Sequence, residues 1–240
     1  MSHLKRLTAP MAWRIAKKEN TFITRTCPGP HNAAAMPIVV WLRDVMGMAG
    51  NMKEVKRILH QRDVIVNGKP VTDPKIGVGI FDIISIPKMD KHYRILMDKR
   101  SHLVSVEIDA EAAKTRLCKI RNKTVVKGGK VQLNLNYGAN LLADNTYKPK
   151  DSIVLTIGEG EERFKIVDHF PFAVGNVAMV IGGKHSGRIG TITEIRTVPG
   201  SIPNRVILEY ENQESFETVE GYIYMIGRET PVITEWGIEA

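Results

Sequence analysis

The sequence predicts an α+β protein of several small domains: an N-terminal arm, a small helix–hairpin domain, a central β-rich domain and a C-terminal small β-barrel. Its 240 residues are more than one small module needs, and chains of this length commonly divide into domains. Two helical patterns come early in the chain, and most later apolar runs are short and bounded by turn signals. We place the domains at residues 1–36, 37–90, 91–169 and 170–240.

Composition excludes several classes of protein. A hydrophobic content of 43% supports packed cores, whereas 6% aromatic residues and a mean hydropathy of -0.15 argue against a membrane protein. No apolar run approaches the roughly 18 residues that a spanning helix needs, and no secretory signal is predicted, so we expect a cytoplasmic protein. Cys27 and Cys118 lie far apart, which predicts neither a disulfide framework nor a zinc site.

The charge is divided unevenly along the chain. The formal net charge is +8, but residues 1–150 carry 27 Lys and Arg against 12 Asp and Glu, which is +15. Residues 151–240 carry 7 against 14, which is -7. An excess of this size suits neutralisation of a phosphate backbone, so nucleic acid is the predicted partner.

The first 36 residues lack a sustained period. The segment 13–18 could form one or two helical turns, and Cys27-Pro28-Gly29-Pro30 imposes extended or turn backbone. Trp13, Phe22 and Ile23 stand among the charges, which indicates that this basic arm docks either on RNA or on its own protein.

Two helices follow the arm. Pro37 suits a first helical position and Gly47 a position just past the end, which predicts a helix over about 37–46. Asn51 and Glu54 form an Asn version of the capping box at the start of a second helix. On a helical wheel its apolar residues are opposed by a basic face, which consists of Lys53, Lys56, Arg57 and His60.

A small sheet completes this domain. Asn67-Gly68 between two apolar runs is a strong hairpin signal, because both turn positions require positive φ. A third strand is predicted over 81–86. Two helices and a small sheet would make a compact α+β unit whose basic helix stands beside the hairpin.

The rest of the chain is predicted to be β, with one short helix over roughly 110–119. In the central part, we expect strands at 92–97, 102–108, 124–126, 131–135, 152–157 and 163–167, with a loop over 158–162. In the last part, we expect strands at 175–181, 191–195, 206–210 and 215–219, with a glycine-rich turn over 182–190.

Enzyme templates fail on this chain. A Walker loop at Gly183-Lys184 would need a glycine where Ala178 stands and a Ser or Thr where His185 stands. No nucleophile elbow occurs at Ser186, and the seven histidines show no paired metal-ligand spacing. We therefore predict no enzyme, no metal, no cofactor and no small-molecule substrate.

The helix–hairpin segment resembles the small RNA-binding domain shared by bacterial ribosomal protein S-four, pseudouridine synthases and tyrosyl-tRNA synthetases. That domain clasps structured RNA with its second helix and hairpin. The resemblance implies RNA contacts from Arg43, Lys53, Lys56, Arg57, Arg62, Asn67 and Lys69. The chain departs from the pattern at 77–82, where many members have Lys-Pro-Gly-Asp.

The segment 175–192 resembles a KOW motif, which occurs in SH3-like barrels of ribosomal proteins and transcription elongation factors. This implies that the C-terminal barrel is SH3-like and that Lys184, His185 and Arg188 face phosphates.

Taken in order, the modules resemble the archaeal and eukaryotic small-subunit ribosomal protein S-four-e family. The residues that carry this are 3–7, Ala9-Pro10, Gly29-Pro30-His31, 82–86, 117–120, 187–190 and 199–201. The chain departs from the family at 32–35, where basic residues are frequent, and at 136–139, where His-Asp and an Arg are common.

The resemblance implies a non-catalytic constituent of the small ribosomal subunit that binds folded ribosomal RNA and neighbouring ribosomal proteins, with no membrane partner. From the basic arm we add five candidate RNA contacts: Lys5, Arg6, Arg14, Lys17 and Lys18. The alternatives are an RNA-modifying enzyme, or a transcription-elongation factor that uses the same modules.

Overall fold

The structure is a computed structural model that describes residues 3–31, 35–158, 163–210 and 214–228. Within these ranges the chain is mostly β, with nineteen strands and two short α-helices. It divides into two compact units. The first unit comprises residues 1–96, 102–116 and 156–163, and the second comprises 97–101, 117–155 and 164–240.

The first unit is built on a five-stranded sheet in the order β5-β4-β7-β8-β9, accompanied by two small pairs, β1-β2 and β3-β6. Its strands are β1 Leu4–Lys5, β2 Phe22–Ile23, β3 Met36–Pro37, β4 Ile65–Val66, β5 Lys69–Pro70, β6 Gly77–Val78, β7 Ile83–Ile86, β8 Lys91–Met97 and β9 Leu103–Ile108. The pairs β1-β2, β3-β6, β4-β5, β4-β7 and β7-β8 are antiparallel.

Helix α1, Ile38–Val40, continues as a π-helical turn over Trp41–Val45, so the predicted helix at 37–46 is confirmed. Ile38 through Leu42 are almost fully buried, because this segment is apolar around its whole circumference. The indole N–H of Trp41 donates to Ser105 Oγ at 2.6 Å, which satisfies its one polar atom. Gly47 at a φ of 64° ends the helical segment.

The predicted Asn67-Gly68 turn is confirmed, since φ is 50° at Asn67 and 76° at Gly68. It joins β4 to β5, with Val66 opposite Lys69. The third strand begins at Ile83 rather than at the expected residue 81. Phe81 has a φ of 65° and the amide of Asp82 donates to the carbonyl of Gly79, so a turn occupies these two positions.

The arm packs on its own protein. Trp13 is only 2% exposed, Ala9 and Ile23 are also buried, and the amide of Leu103 donates to the carbonyl of Ala12 at 2.8 Å. The expected helical turns at 13–18 are wrong, because this segment forms turns and extended backbone. Residues 32–34 lie outside the described ranges. They include most of the segment 32–35, where the sequence departs from the family pattern.

Asp82 is the most heavily bonded carboxylate of the first unit, and it is 2% exposed. Its oxygens accept from Arg116 Nη2 at 2.6 Å, from Asn67 Nδ2 at 2.8 Å and from the amide of Gly79 at 2.9 Å. His31 Nε2 lies 2.8 Å from its second oxygen. These partners come from the arm, the hairpin turn, the turn before β7 and the segment that follows β9.

The second unit contains two five-stranded sheets, β12-β11-β10-β13-β14 and β18-β17-β16-β15-β19. The first has β10 Thr115–Val125, β11 Val131–Leu135, β12 Asn140–Ala143, β13 Ser152–Thr156 and β14 Ile166–Phe170. The second has β15 Val177–Val180, β16 Ile189–Arg196, β17 Arg205–Glu209, β18 Ser215–Val219 and β19 Ile223–Gly227.

Two central elements differ from expectation. The helix at 110–119 is wrong: one 3-10 turn, Ala112–Lys114, is followed by β10, which lies in the middle of its sheet between β11 and β13. The strand expected at 163–167 is displaced to Ile166–Phe170, because Phe170 pairs with Ser152 and is buried. Of the loop over 158–162, only residue 158 is described.

We expect the Asp82→Asn variant to lower the free energy of unfolding by about 3 kcal/mol, because it replaces the buried carboxylate that pairs with Arg116 by a neutral amide. Chemical denaturation at neutral pH measures this decrease. The matched control is Asp109→Asn, an exposed carboxylate for which the described residues provide no side-chain hydrogen bond. Equal stability of the two variants would contradict the structural role of Asp82.

The carboxylate of Asp82 also makes the stability of the fold depend on pH. Burial alone would raise the pKa of Asp82, but the charges of Arg116 and His31 and the hydrogen bonds from His31 and Asn67 lower it from 3.8 to about 2. A depressed pKa stabilises the fold above pH 4, and this contribution of about 2 kcal/mol disappears as the pH falls towards 2. The stability difference between the native protein and Asp82→Asn should therefore shrink over that interval, as denaturation at a series of pH values would show.

Candidate nucleic-acid interface

Helix α2, Met52–His60, separates an apolar face from a basic face as predicted. Val55 and Leu59 are fully buried, while the side chains on the opposite face are exposed, namely Lys53, Lys56, Arg57 and His60. Burial of one stripe thus fixes the direction in which the cations point. From here on, the basic face of α2 means its lysine and arginine residues, namely Lys53, Lys56 and Arg57.

A capping box sets the start of this helix. Asn51 Oδ1 accepts from the amides of Lys53 and Glu54 at 2.9 and 3.1 Å. Glu54 folds back to accept from Asn51 Nδ2 and from the amide of Gly50, both at 2.7 Å. The amides that a helix start leaves without partners are thereby satisfied, which holds the first turn and Lys53 in place.

Two exposed cations lie in the hairpin and in the segment that leads into it. Arg62, at a φ of 60°, follows the end of α2, and Lys69 begins β5 at the edge of its sheet. Asn67, for which an RNA contact is predicted, is half-buried and bonded within the fold. Its amide donates to Asp82 and its carbonyl oxygen accepts from the amide of Ile83 at 3.0 Å, so its side chain holds the turn together.

The arm cations divide into exposed and buried members. Lys5, Arg14 and Lys18 are exposed, and Lys17 is half-buried with Nζ donating to the carbonyl of Ala9 at 3.0 Å. Arg6 is only 2% exposed, and the prediction that it contacts RNA conflicts with that burial.

The partners of Arg6 explain the conflict. Its guanidinium donates to the carbonyl of Ala16 at 2.6 Å and to Asp44 at 3.0 Å, and it lies 3.4 Å from Glu19. Arg43 shares the carboxylate of Asp44, through Nε at 3.1 Å and Nη2 at 2.7 Å, and is half-buried. Asp44 therefore ties the arm to the π-helical turn after α1 through Arg6, and it occupies two of the five N–H donors of Arg43.

In the second unit, the predicted glycine-rich turn joins β15 to β16. Gly183 and Gly187 have φ values of 78° and 74°, and a side chain at Gly187 would clash with the backbone of Asp98. Lys184 and Arg188 are exposed, as predicted, and His185 is half-buried. The turn thus holds two cations in a tightly constrained backbone.

Aromatic rings support this turn. His185 packs on Phe216 with centroids 4.7 Å apart, and Phe216 stacks on Tyr210 at 4.4 Å. Arg188 lies over Tyr210 at 5.3 Å and donates to its hydroxyl at 2.6 Å. Burial, with the charges of Arg188 and Lys184, lowers the pKa of His185, which favours the neutral form of its ring. His185 is thus a packing group in this turn.

The described part of the chain contains no cluster of metal ligands and no helix that could span a membrane. No group of three or more His, Cys, Asp and Glu residues there could hold a metal ion. Among the same residues, no helix has the length and apolar character needed to cross a membrane. Neither Cys27 nor Cys118 forms a disulfide bond.

Sequence reasoning missed one group of exposed cations, Arg121, Lys127 and Lys130, on the hairpin between β10 and β11. Their signal was available in the sequence, since residues 117–150 contain seven Lys and Arg and a single acidic residue, Asp144. No short motif covers that hairpin, so motif-based reasoning does not single out these three cations.

A mostly β chain with several groups of exposed cations has the features of a nucleic-acid-binding protein. Three family models match it: the RS4NT (NUC023) domain over residues 2–34, Ribosomal family S4e over 89–162 and the KOW motif over 174–209.

Relatives match nearly the whole chain. It is 58% identical to small ribosomal subunit protein eS4 of Methanospirillum hungatei, over 99% of this chain and 98% of the relative. The protein of the same name from Methanocella arvoryzae is 44% identical over 97% of each chain. The crystal structure of the 30S ribosomal protein S4e from Thermoplasma acidophilum is similar, with a TM-score of 0.67 and 27% identity over 81% of this chain and 95% of the other. The chain belongs to the ribosomal S4e family.

Because Arg6 is buried in an ion pair, we expect Arg6→Gln to lower the free energy of unfolding by about 3 kcal/mol. Lys5→Gln, the neighbouring exposed position, should change it by less than about 0.5 kcal/mol. Chemical denaturation of both variants provides the measurement. If Arg6→Gln proved as stable as Lys5→Gln, the Asp44 contact would not be structural.

Proposed function

We propose that the basic face of α2, together with Arg62 and Lys69, is the main RNA-binding surface of this chain, which is a structural constituent of the small subunit of the cytoplasmic ribosome. The observation that carries the proposal is the opposition of buried Val55 and Leu59 to exposed Lys53, Lys56 and Arg57 on one rigid, capped helix. Within the described residues no carboxylate pairs with these three cations, so all of their charge is available to phosphates.

The mechanism is neutralisation of phosphates by cations held on rigid elements. Ribosomal RNA is largely helical, and A-form helices are recognised by shape and by backbone contacts more than by base sequence. Lys53, Lys56 and Arg57 suit that mode, because their direction is set by the helix. Each phosphate contact releases counterions, which makes binding strongly dependent on salt.

The domain plan predicted from the sequence remains our proposal. It has a basic arm at 1–36, an S-four-like RNA-binding domain at 37–90, a central β-rich domain at 91–169, and an SH3-like KOW barrel with the C-terminal tail at 170–240. The KOW match over 174–209 and the five-stranded sheet from β15 to β19 support the last module. The Asn67-Gly68 turn and the capped basic helix α2 support the second.

Two further surfaces would add weaker contacts. One is the arm, with exposed Lys5, Arg14 and Lys18 and half-buried Lys17, and the other is the turn that carries Lys184 and Arg188. Several weak sites on one chain raise the effective concentration of each for the next. The net charge of -7 over residues 151–240 leaves most of the C-terminal module to water or to basic ribosomal neighbours.

The alternative functions lack support. An RNA-modifying enzyme would need a placed catalytic group, and no observation on the described residues supplies one. A KOW module is shared with elongation factors, but that comparison would account for residues 174–209 alone. The relatives that align over nearly the whole chain are named as small-subunit proteins.

We expect the triple variant Lys53→Gln, Lys56→Gln, Arg57→Gln to bind small-subunit ribosomal RNA at least about ten-fold more weakly. The slope of log affinity against log salt should fall by roughly one unit for each phosphate that the variant no longer neutralises. Filter binding at several salt concentrations measures both effects.

The matched control removes the same charge from cations that already have acidic partners: Lys88 with Asp63, Lys91 with Glu107 and Lys114 with Glu111. The Gln variants at these positions should bind nearly as well as the native protein. Thermal melting must show that the test variant is folded, and equal RNA affinity of the two triple variants would contradict the proposal.

We further expect the protein to sediment with small ribosomal subunits at low salt and to be released at high salt, because phosphate contacts dominate its binding. Gradient sedimentation at the two salt concentrations measures this. Protein found free of subunits at low salt would show that the assignment to the subunit is wrong.

A further inference from the structure

The sheet formed by β10, β11 and β12 has one face made almost entirely of uncharged polar side chains. Register places Asn122 opposite Asn134, and Asn134 opposite Asn140. Thr124 faces Gln132 in the same way, and Gln132 faces Leu142. We call this surface the amide face, which comprises Asn122, Thr124, Gln132, Asn134, Asn140 and Leu142.

The amide face is open because the hydrophobic core packs against the opposite face of the sheet. Leu133 and Leu135 alternate with the amide residues along β11 and pack in a buried cluster with Ile120 and Ile153. On the amide face Asn122, Thr124, Asn140 and Leu142 are exposed, and Gln132 and Asn134 are half-buried. No fold element that the structure describes covers this surface.

Hydrogen bonds hold the amides in a fixed array. Gln132 Nε2 donates to Asn134 Oδ1 at 2.7 Å, and Asn134 Nδ2 donates to Asn122 Oδ1 at 2.9 Å. Since an amide has two donors and an acceptor that takes two bonds, each residue keeps capacity for a ligand. The face therefore offers donors and acceptors in an orientation that needs little reorganisation.

The surroundings of the amide face are strongly cationic. Residues 117–150 contain seven Lys and Arg and one acidic residue. Lys119 serves the interior, since its Nζ donates to the carbonyl of Ile223 at 2.6 Å and burial lowers its pKa to about 8. Lys150 is paired with Glu220 at 2.5 Å.

The cations at and near the hairpin tip are not used in this way. Arg121, beside the bulge in β10, and Lys127 and Lys130, at the turn into β11, are exposed. None of the three forms an ion pair with a carboxylate in the described ranges. Between the two lysines, Gly128 and Gly129 have positive φ and open space around them, so a ligand can approach the backbone closely.

We propose that the amide face and the cationic hairpin tip form a second RNA-binding surface, which takes the shallow minor groove and flanking phosphates of an RNA helix. This rests on the proposed function, because it presumes that the protein binds ribosomal RNA. The minor groove of A-form RNA displays 2′-hydroxyls and base edges, which amides can meet as donors and as acceptors. Lys127 and Lys130 then meet the phosphates at the groove edge.

Two features favour an RNA helix over other nucleic acids. None of the six residues of the amide face is aromatic, so it lacks the stacking platforms that single strands use. The 2′-hydroxyl is absent from DNA, so a surface that reads it distinguishes the two duplexes. Leu142, 57% exposed, adds an apolar contact suited to the sugar edge of the groove.

The test uses the full chain and two probes, an RNA duplex of about 24 base pairs and a DNA duplex of the same sequence, longer than the roughly 16 pairs that a double-stranded RNA domain spans. Fluorescence anisotropy gives the affinities. We expect Lys127→Gln with Lys130→Gln to weaken RNA-duplex binding about ten-fold and to reduce the salt slope by roughly two units. Lys88→Gln with Lys114→Gln removes the same charge and should bind normally.

The second variant, Asn122→Ala with Asn134→Ala, keeps every charge. Its affinity for RNA should fall about five-fold and its affinity for DNA should not change, because only the RNA duplex offers 2′-hydroxyls. Melting curves check that both variants are folded. Equal binding by the Lys127 and Lys130 variant and its control would overturn the proposal, and so would an equal decrease for RNA and DNA in the Asn variant.

The basic-face variant of α2 separates this proposal from the main one. Suppose that this variant binds ribosomal RNA more weakly, that the Lys127 and Lys130 variant matches its control, and that the Asn122 and Asn134 variant matches the native protein. The proposal of a second surface is then wrong, and the main function stands. If the native protein binds neither ribosomal RNA nor the RNA duplex, both proposals fail.

Discussion

Asp82 is a single buried carboxylate on which the first unit depends. It receives the guanidinium of Arg116, the amide of Asn67 and the backbone of Gly79, with His31 also in contact. A charge out of water is costly unless its partners are complete, so these segments can meet only in one arrangement. That arrangement fixes the hairpin turn that carries Lys69, and it holds the end of the arm in place.

The same principle of completed partners decides which cations remain for RNA. Lys5 and Arg6 are neighbours with the same charge, yet Asp44 and the carbonyl of Ala16 hold Arg6 inside while Lys5 stays in water. On α2 the buried Val55 and Leu59 send the cations of the basic face outward, where the described residues place no carboxylate partner. The cations that remain for RNA are therefore those that the fold does not use in its own ion pairs and hydrogen bonds.

Local chemistry made much of the first unit predictable. The Asn67-Gly68 turn and the Asn51 cap depend on residues a few positions apart, so their geometry follows from the sequence. The helix expected at 110–119 failed because β10 pairs with β11 and β13 from distant parts of the chain. Non-local strand pairing overrode a weak helical pattern, since the strand buries Cys118 and Ile120 in a shared core.

The sequence by itself determined the family, the excess of positive charge before residue 150, and the basic face of α2, because each depends on composition or on short spacings. Long-range packing alone placed Arg6 in an ion pair, drew the side chain of Asn67 into its turn and packed the ring of His185 on Phe216. It also decided that the amides of β10 to β12 share one open face. These outcomes depend on which distant group arrives as a partner, and no local pattern of residues specifies that.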